Sequence, residues 1–402
     1  MIKFKIRRNL IYPGQYIIWT VARDVLNIFV KHFLDFKDSL SHCPFMFLGE
    51  FIAGGIIHLY LRKIDTKISE TKDQYFMSIK LIKNEESDTD YFVPVDNKLK
   101  IIFLIFIASF LDWIIFFIDS GVIAKLKKLS SSISMRLYGF ATIFATFTYI
   151  YTLKLPIYKH HKFSLTIIGF CLIVIIVSEY FFQEKDLTLG YDTFSYALLF
   201  IIVSQLFVSI QDSIEKYLFE YNYLNPFIVL MYEGFFGFVL SFLFFFIPDY
   251  FHDVKAFYED HSTRRFILFI FVLIIYMVIS GLKNIFRVVT IKIYSPMESI
   301  LSYYIINPLY FPYYCCVVGD FKDKNGINTA YLTLNIIIAI IISFFGCVYD
   351  EFIILFCCGL ERDTHSQISE RAKTSLETEL VKFDDDEGNN IQLNDYDSFV
   401  NE

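Results

Sequence analysis

Ionisable side chains inside long apolar runs are the groups from which this sequence could build a site. Lys31 is followed four residues later by Asp35, and Lys216 by Glu220, each pair in a stretch that is otherwise apolar. Residues four apart share a helix face, so each pair can meet as an ion pair. A Pro then opens the next apolar run (Pro44, Pro226), and a Glu follows with a Gly four residues on: Glu50 with Gly54, Glu233 with Gly237. The Gly lets another helix backbone come close, and the Glu is either bonded to that helix or faces a cavity, where it holds a solute or a proton. Asp112 and Asp119 lie seven apart on one helix face, while Lys283, Arg287 and Lys292 step along the end of a later run. Bases placed so either contact a phosphate or anchor the inner end of a span, and the spacing favours neither. Arg136 and Glu298 open two other runs, a placement that suits the membrane interface.

The elements that must carry these residues are apolar helices. The 402-residue chain is 55% hydrophobic, 19% aromatic and 20% charged. Apolar stretches of about 20 residues recur, the length a helix needs to cross a bilayer core of about 30 Å. They are continuous rather than alternating, which selects helices over a membrane barrel. We expect an all-α polytopic membrane protein with spans near 15–34, 44–61, 100–120, 133–153, 163–183, 194–219, 226–247, 265–290, 297–318 and 331–356. A polar segment at 63–98 reads as a loop, and 359–402 as an acidic disordered tail. The tail accounts for the charge: residues 361–402 hold 12 acids and 4 bases against a whole-chain net of −7. The acidic balance therefore says nothing about a substrate.

The spans fall into two halves, 15–183 and 194–358. Lys31 and Lys216 are 185 residues apart, and Glu50 and Glu233 are 183 apart. Ser134-Met135-Arg136 and Pro296-Met297-Glu298 open the fourth and ninth spans at an offset of 162, the shift being absorbed by unequal loops. Five spans per half is odd, so the second half must enter the membrane inverted, the build of many secondary transporters. Lys and Arg favour a cytosolic N-terminus (residues 1–14) and a cytosolic C-terminus, by about 21 to about 10. Equivalent positions of inverted repeats meet near the midplane, so Lys31, Glu50, Lys216 and Glu233 are expected to line one cavity. Asp112, Lys283 and Arg287 are further candidates there. The Lys residues would hold an anionic or polar group, and the carboxylates would accept hydroxyls or amines or take up a proton.

Other chemistry finds little support. The His residues (32, 42, 58, 160, 161, 252, 261, 365) lie in loops or at span ends, except for His32, and no H-E-x-x-H or G-x-S-x-G motif occurs. The seven Cys form neither a disulfide framework nor a zinc spacing, although Cys357 and Cys358 suit palmitoylation or plain packing. No enzyme, no cofactor and no metal site is expected. The expected partners are a small-molecule solute and the lipid bilayer, with a homodimer allowed and no nucleic acid.

Asn27-Ile28-Phe29-Val30-Lys31 resembles the N-I-x-N-K run in the first helix of nucleotide-sugar and triose-phosphate transporters, departing at Val30. That branch belongs to the drug/metabolite transporter superfamily, built from two inverted five-helix EamA-like repeats, and the architectural resemblance covers about 15–358. The resemblance implies exchange or uptake of a polar organic solute such as a nucleotide sugar, at a Golgi, endoplasmic-reticulum or plasma membrane. A non-transporting receptor or scaffold that keeps the transporter fold is the competing class.

Overall fold

The structure, a computed structural model, describes residues 2–4, 11–33, 42–65, 81–84, 87–92, 98–122, 133–153, 157–182, 191–222, 224–243, 263–293, 299–300, 322–323, 326–356, 359–364, 367 and 371. Helices dominate. In chain order they are α1 (Ile11–Phe33), α2 (Cys43–Asp65), α3 (Lys98–Phe116), α4 (Ile133–Arg136) and α5 (Gly139–Leu153). Then come α6 (Lys159–Phe182), α7 (Tyr191–Glu220), α8 (Pro226–Ser241), α9 (Thr263–Ile293) and α10 (Thr329–Tyr349). Among the described residues, six helical segments are long and apolar enough to cross a membrane: Cys43–Lys63, Lys98–Ser120, Lys159–Phe181, Ser195–Glu220, Phe266–Ile293 and Thr329–Tyr349. Their outer faces carry exposed large hydrophobics such as Ile56, Phe103, Phe170 and Phe271. A water-soluble bundle would not show these, but a lipid-facing surface must. The protein is a multi-pass integral membrane protein.

Local chemistry sets several helix ends. Asn225 caps α8 by accepting from the Phe227 N–H, with Pro226 in the first turn, and Asn328 caps α10 by accepting from the Tyr331 N–H. Hydroxyls within helices satisfy themselves on the preceding turn, as Thr20 does on the Tyr16 carbonyl and Ser213 on that of Ser209. The stretch expected as one span at 133–153 is broken. A turn at Leu137–Tyr138 separates α4 from α5, and Phe140 and Ala141 donate back only three residues. α3 ends in a widened π turn, Phe117–Val122, which holds Asp119 against the Ser204 hydroxyl of α7 at 3.0 Å.

Packing joins early helices to late ones. α2 lies against α8 and α9, α3 against α7 and α8, α1 against α9, α5 against α7, and α6 against α10. Stretches 15–183 and 194–358 are therefore interleaved. One apolar core runs between α5, α6, α7 and α10 around Leu137, Ile168, Leu172 and Ile338, and another between α3, α7, α8 and α9 around Leu218, Leu230 and Val288. Short strands lie outside the helices. β1 (Ile2–Phe4) pairs antiparallel with β6 (Ile353–Leu355), bringing the segment before α1 to the one after α10. β2 (Leu81–Asn84) and β3 (Ser87–Phe92) form a hairpin within the segment expected as a plain loop, and β4 (Lys322–Asp323) pairs with β5 (Gly326–Ile327). The expected span at 297–318 lies outside the described residues save 299–300, and so does the tail beyond 371.

Candidate functional site

Small residues bring three helices close enough to bury charge between them. A Cβ on Gly54 of α2 would sit 2.8 Å from the Met231 nitrogen and the Phe227 oxygen of α8. A Cβ on Gly234 of α8 would strike the backbone of Phe47 and Phe51 and lie 2.9 Å from the Glu50 carbonyl carbon. The crossing is thus backbone on backbone, as the Glu-x-x-x-Gly spacing implied for Gly54. Gly237 meets the Phe47 ring instead. Glu50 and Glu233 reach this crossing together and feel each other electrostatically. On the other side of α2, Gly49 and Gly281 let α9 approach, a Cβ on Gly281 lying 2.7 Å from the Gly49 oxygen. This contact delivers Lys283, Asn284 and Arg287 to the same region.

Arg287 is the hub. It donates through Nη1 to Asp212 Oδ1 at 2.9 Å and through Nη2 to Glu215 Oε1 at 2.7 Å, both on α7. The same Nη2 stands 3.8 Å from Glu233 Oε2, an ion-pair approach too long for a hydrogen bond. Gln211 adds a donor to Glu215 Oε1 at 3.3 Å. Asn284 donates to Glu50 Oε1, and the Ser109 hydroxyl of α3 donates to the Glu233 backbone carbonyl at 2.7 Å. Asp112, half-buried on α3, interacts electrostatically with Glu50, Asp212, Glu215, Glu233 and Arg287. Lys283 lies within electrostatic reach of Glu50, its Nζ 5.9 Å from the centre of the Tyr16 ring of α1. Five carboxylates (Glu50, Asp112, Asp212, Glu215, Glu233) thus share one buried region with two bases, Lys283 and Arg287. Glu233 Oε1 and Glu215 Oε2 are buried without a hydrogen-bond partner among the described residues.

Of the residues singled out from the sequence, Glu50, Asp112, Glu233, Lys283 and Arg287 come together here. Lys216 does not. Its ammonium donates to the carbonyls of Ile291 (3.0 Å) and Lys292 (3.2 Å) at the end of α9 and pairs with Glu220 at 2.8 Å. Free carbonyls at a helix C-terminus attract a cation, and that attraction turns Lys216 away from Arg287. The Lys31 side chain and Asp35 lie outside the described residues, as do Glu298, Cys357 and Cys358. Sequence reasoning missed Glu215, Gln211, Asn284 and Ser109. The one available signal was the Asp212/Glu215 spacing, which puts both acids on one helix face.

A second polar cluster ties α4 to α6 and α10. Arg136 is buried rather than interfacial, because the turn after α4 points it inward. It donates through Nη2 to Glu179 Oε2 at 2.7 Å and through Nη1 to Asn335 Oδ1 (2.8 Å) and the Tyr331 hydroxyl (3.0 Å). Tyr331 in turn donates to Glu179. At the opposite end of the α6–α10 pair, His160 faces Glu351 at 3.5 Å and His161 packs on the Tyr349 ring. Among the described residues, no group of three or more His, Cys, Asp or Glu could hold a metal ion. Comparison with protein-family models and with curated proteins yields no match.

Proposed function

We propose that this protein is a secondary-active transporter that moves a polar organic solute by alternating access, with the Arg287 cluster as its solute site. The observation that carries the reading is the cluster itself. Several ionisable groups are gathered at the crossing of α2, α8 and α9 in a bundle whose outer surface is apolar. Each charge at membrane depth costs roughly 2.5–3.5 kcal/mol on insertion scales, and helix packing alone could use apolar side chains. A polar solute that must pass through the bilayer gives such groups a purpose.

The helix pairing supports two inverted repeats of five spans, with 297–318 as the ninth. Under that assignment α2 pairs with its own counterpart α8, and α6 with its counterpart α10. Two further pairs recur in equivalent form: α2 with α9 matches α8 with α3, and α1 with α9 matches α7 with α3. A two-fold axis in the membrane plane would generate this pattern. Ten crossings also return the chain to its starting side, which agrees with β1 pairing with β6. The bias of Lys and Arg makes that side the cytosol.

The charge balance bears on cargo. A nucleotide sugar, the cargo implied by the resemblance to the drug/metabolite transporters, would meet five carboxylates and two bases among the described residues. A neutral or cationic polar solute suits this site better. The test is uptake into proteoliposomes across a panel of amines, amino acids, sugars and nucleotide sugars. We expect saturable flux of at least one solute, lost in Arg287→Gln while the protein stays folded. Absence of saturable flux across the panel, or flux unchanged by Arg287→Gln, would favour the receptor or scaffold class.

A further inference from the structure

Among the described residues, the proposed transport site holds more negative than positive groups, and that imbalance points to what else it binds. We infer that the site takes up a proton on Glu233, and that Arg287 is the counter-ion that Glu233 gains when the proton leaves. This rests on reading the Arg287 cluster as the transport site.

The geometry singles out Glu233 among the five carboxylates. Asp212 and Glu215 each hold a direct bond from Arg287, and Glu50 holds one from Asn284. Asp112 is only half-buried, so water can compensate it. Glu233 is 2% exposed, its Oε1 has no partner among the described residues, and its Oε2 lies 3.8 Å from the guanidinium. Among the described residues, the groups that face it are Glu50 from α2, Asp112 from α3, Glu215 from α7 and Arg287 from α9. Three acids and one base thus stand around a buried carboxylate oxygen that has no hydrogen-bond donor among the described residues. A proton from outside supplies the missing positive charge.

The exchange balances. A hydronium ion at the open face gives its proton to a Glu233 oxygen and leaves as water. Glu233 then no longer attracts Arg287, which stays with Asp212 and Glu215, the arrangement observed. At the other face the proton returns to water, and the guanidinium swings across the 3.8 Å gap to the carboxylate. Because Arg287 sits on α9 and its partners sit on α7 and α8, this swing transmits the protonation state to the packing of three helices.

Infrared titration of the protein in lipid nanodiscs, with no solute present, tests the inference. The wild type should show the carbonyl band of a neutral carboxylic acid that disappears on raising the pH. Glu233→Gln should lack that titrating band, while Glu50→Gln should keep it. Asp212→Asn frees Arg287 to engage Glu233 and should move the transition to lower pH by about one unit, tenfold in proton affinity. Arg287→Gln should move it to higher pH. Should Glu233→Gln fail to fold, the opposite shifts in the other two variants still decide the matter. No titrating band in the wild type, a band that persists in folded Glu233→Gln, or a band displaced by sodium at constant pH would each overturn the inference. A titrating Glu233 in a protein that carries no solute would instead leave it standing and remove the transporter reading.

Discussion

Replacing Arg136 by Met should destabilise the protein far more than an interfacial arginine would. The guanidinium is 3% exposed and the Glu179 carboxylate 2%, so water replaces little of what is lost. Removing Arg136 takes the guanidinium from the buried Glu179 carboxylate and deprives Asn335 Oδ1 and the Tyr331 hydroxyl of a donor. Breaking one partner out of a buried ion pair costs about 3–5 kcal/mol. At about 1.4 kcal/mol per decade, the unfolding equilibrium should shift by roughly two to nearly four decades. Replacing both members, Arg136→Met with Glu179→Leu, removes the orphaned charge and should recover stability to within about 1 kcal/mol of the wild type. Reversible unfolding in mixed micelles, followed by near-ultraviolet circular dichroism, measures both. A single variant that loses less than about 1 kcal/mol, or a double variant as unstable as the single one, would refute the reasoning.

Adjacent glycines on α2 should behave oppositely. Gly54→Ala drives a methyl into the α8 backbone and should cost about 1–3 kcal/mol by the same unfolding assay. Gly55→Ala meets nothing closer than the Met231 sulfur at 3.7 Å and should be neutral or slightly stabilising. Lys216→Gln should lower stability by about 1 kcal/mol through its lost bonds to the end of α9, leaving flux per folded molecule unchanged. Flux normalised to folded protein separates it from Arg287→Gln. Deleting 372–402 should leave the melting temperature unchanged, whereas deleting from Gly359 onward removes buried Leu360 and Thr364 and should lower it.

The helices were legible in the sequence because a membrane-embedded helix must be apolar along its whole length. The start of α8 at Pro226 and the close approach at Gly54 could be read directly from residue types. What the sequence hid were the partners. Arg287 reads equally as a phosphate contact or as an anchor at the inner end of a span, and only its meeting with acids 75 and 72 residues away makes it a hub. Asn284 and Glu50 lie 234 positions apart, so no local pattern connects them. Lys216 misled because its matched spacing with Lys31 suggested a shared cavity, while its pair with Glu220 and the carbonyls at the end of α9 hold it. Arg136 misled because its direction depends on the turn at Leu137–Tyr138, which the single Gly139 beside it does not by itself predict.

Alternating access is the central claim, and cysteine accessibility tests it without knowledge of the cargo. Asp112→Cys, in a background with the seven native cysteines replaced, puts a thiol at the half-buried edge of the Arg287 cluster. A membrane-impermeant maleimide is applied to one side or the other of sealed vesicles of known orientation. The account predicts labelling from both sides, with a change in pH raising the rate on one side as it lowers the rate on the other. Labelling confined to one side under every condition, in a folded protein, would contradict it and leave a one-sided cavity in a membrane receptor.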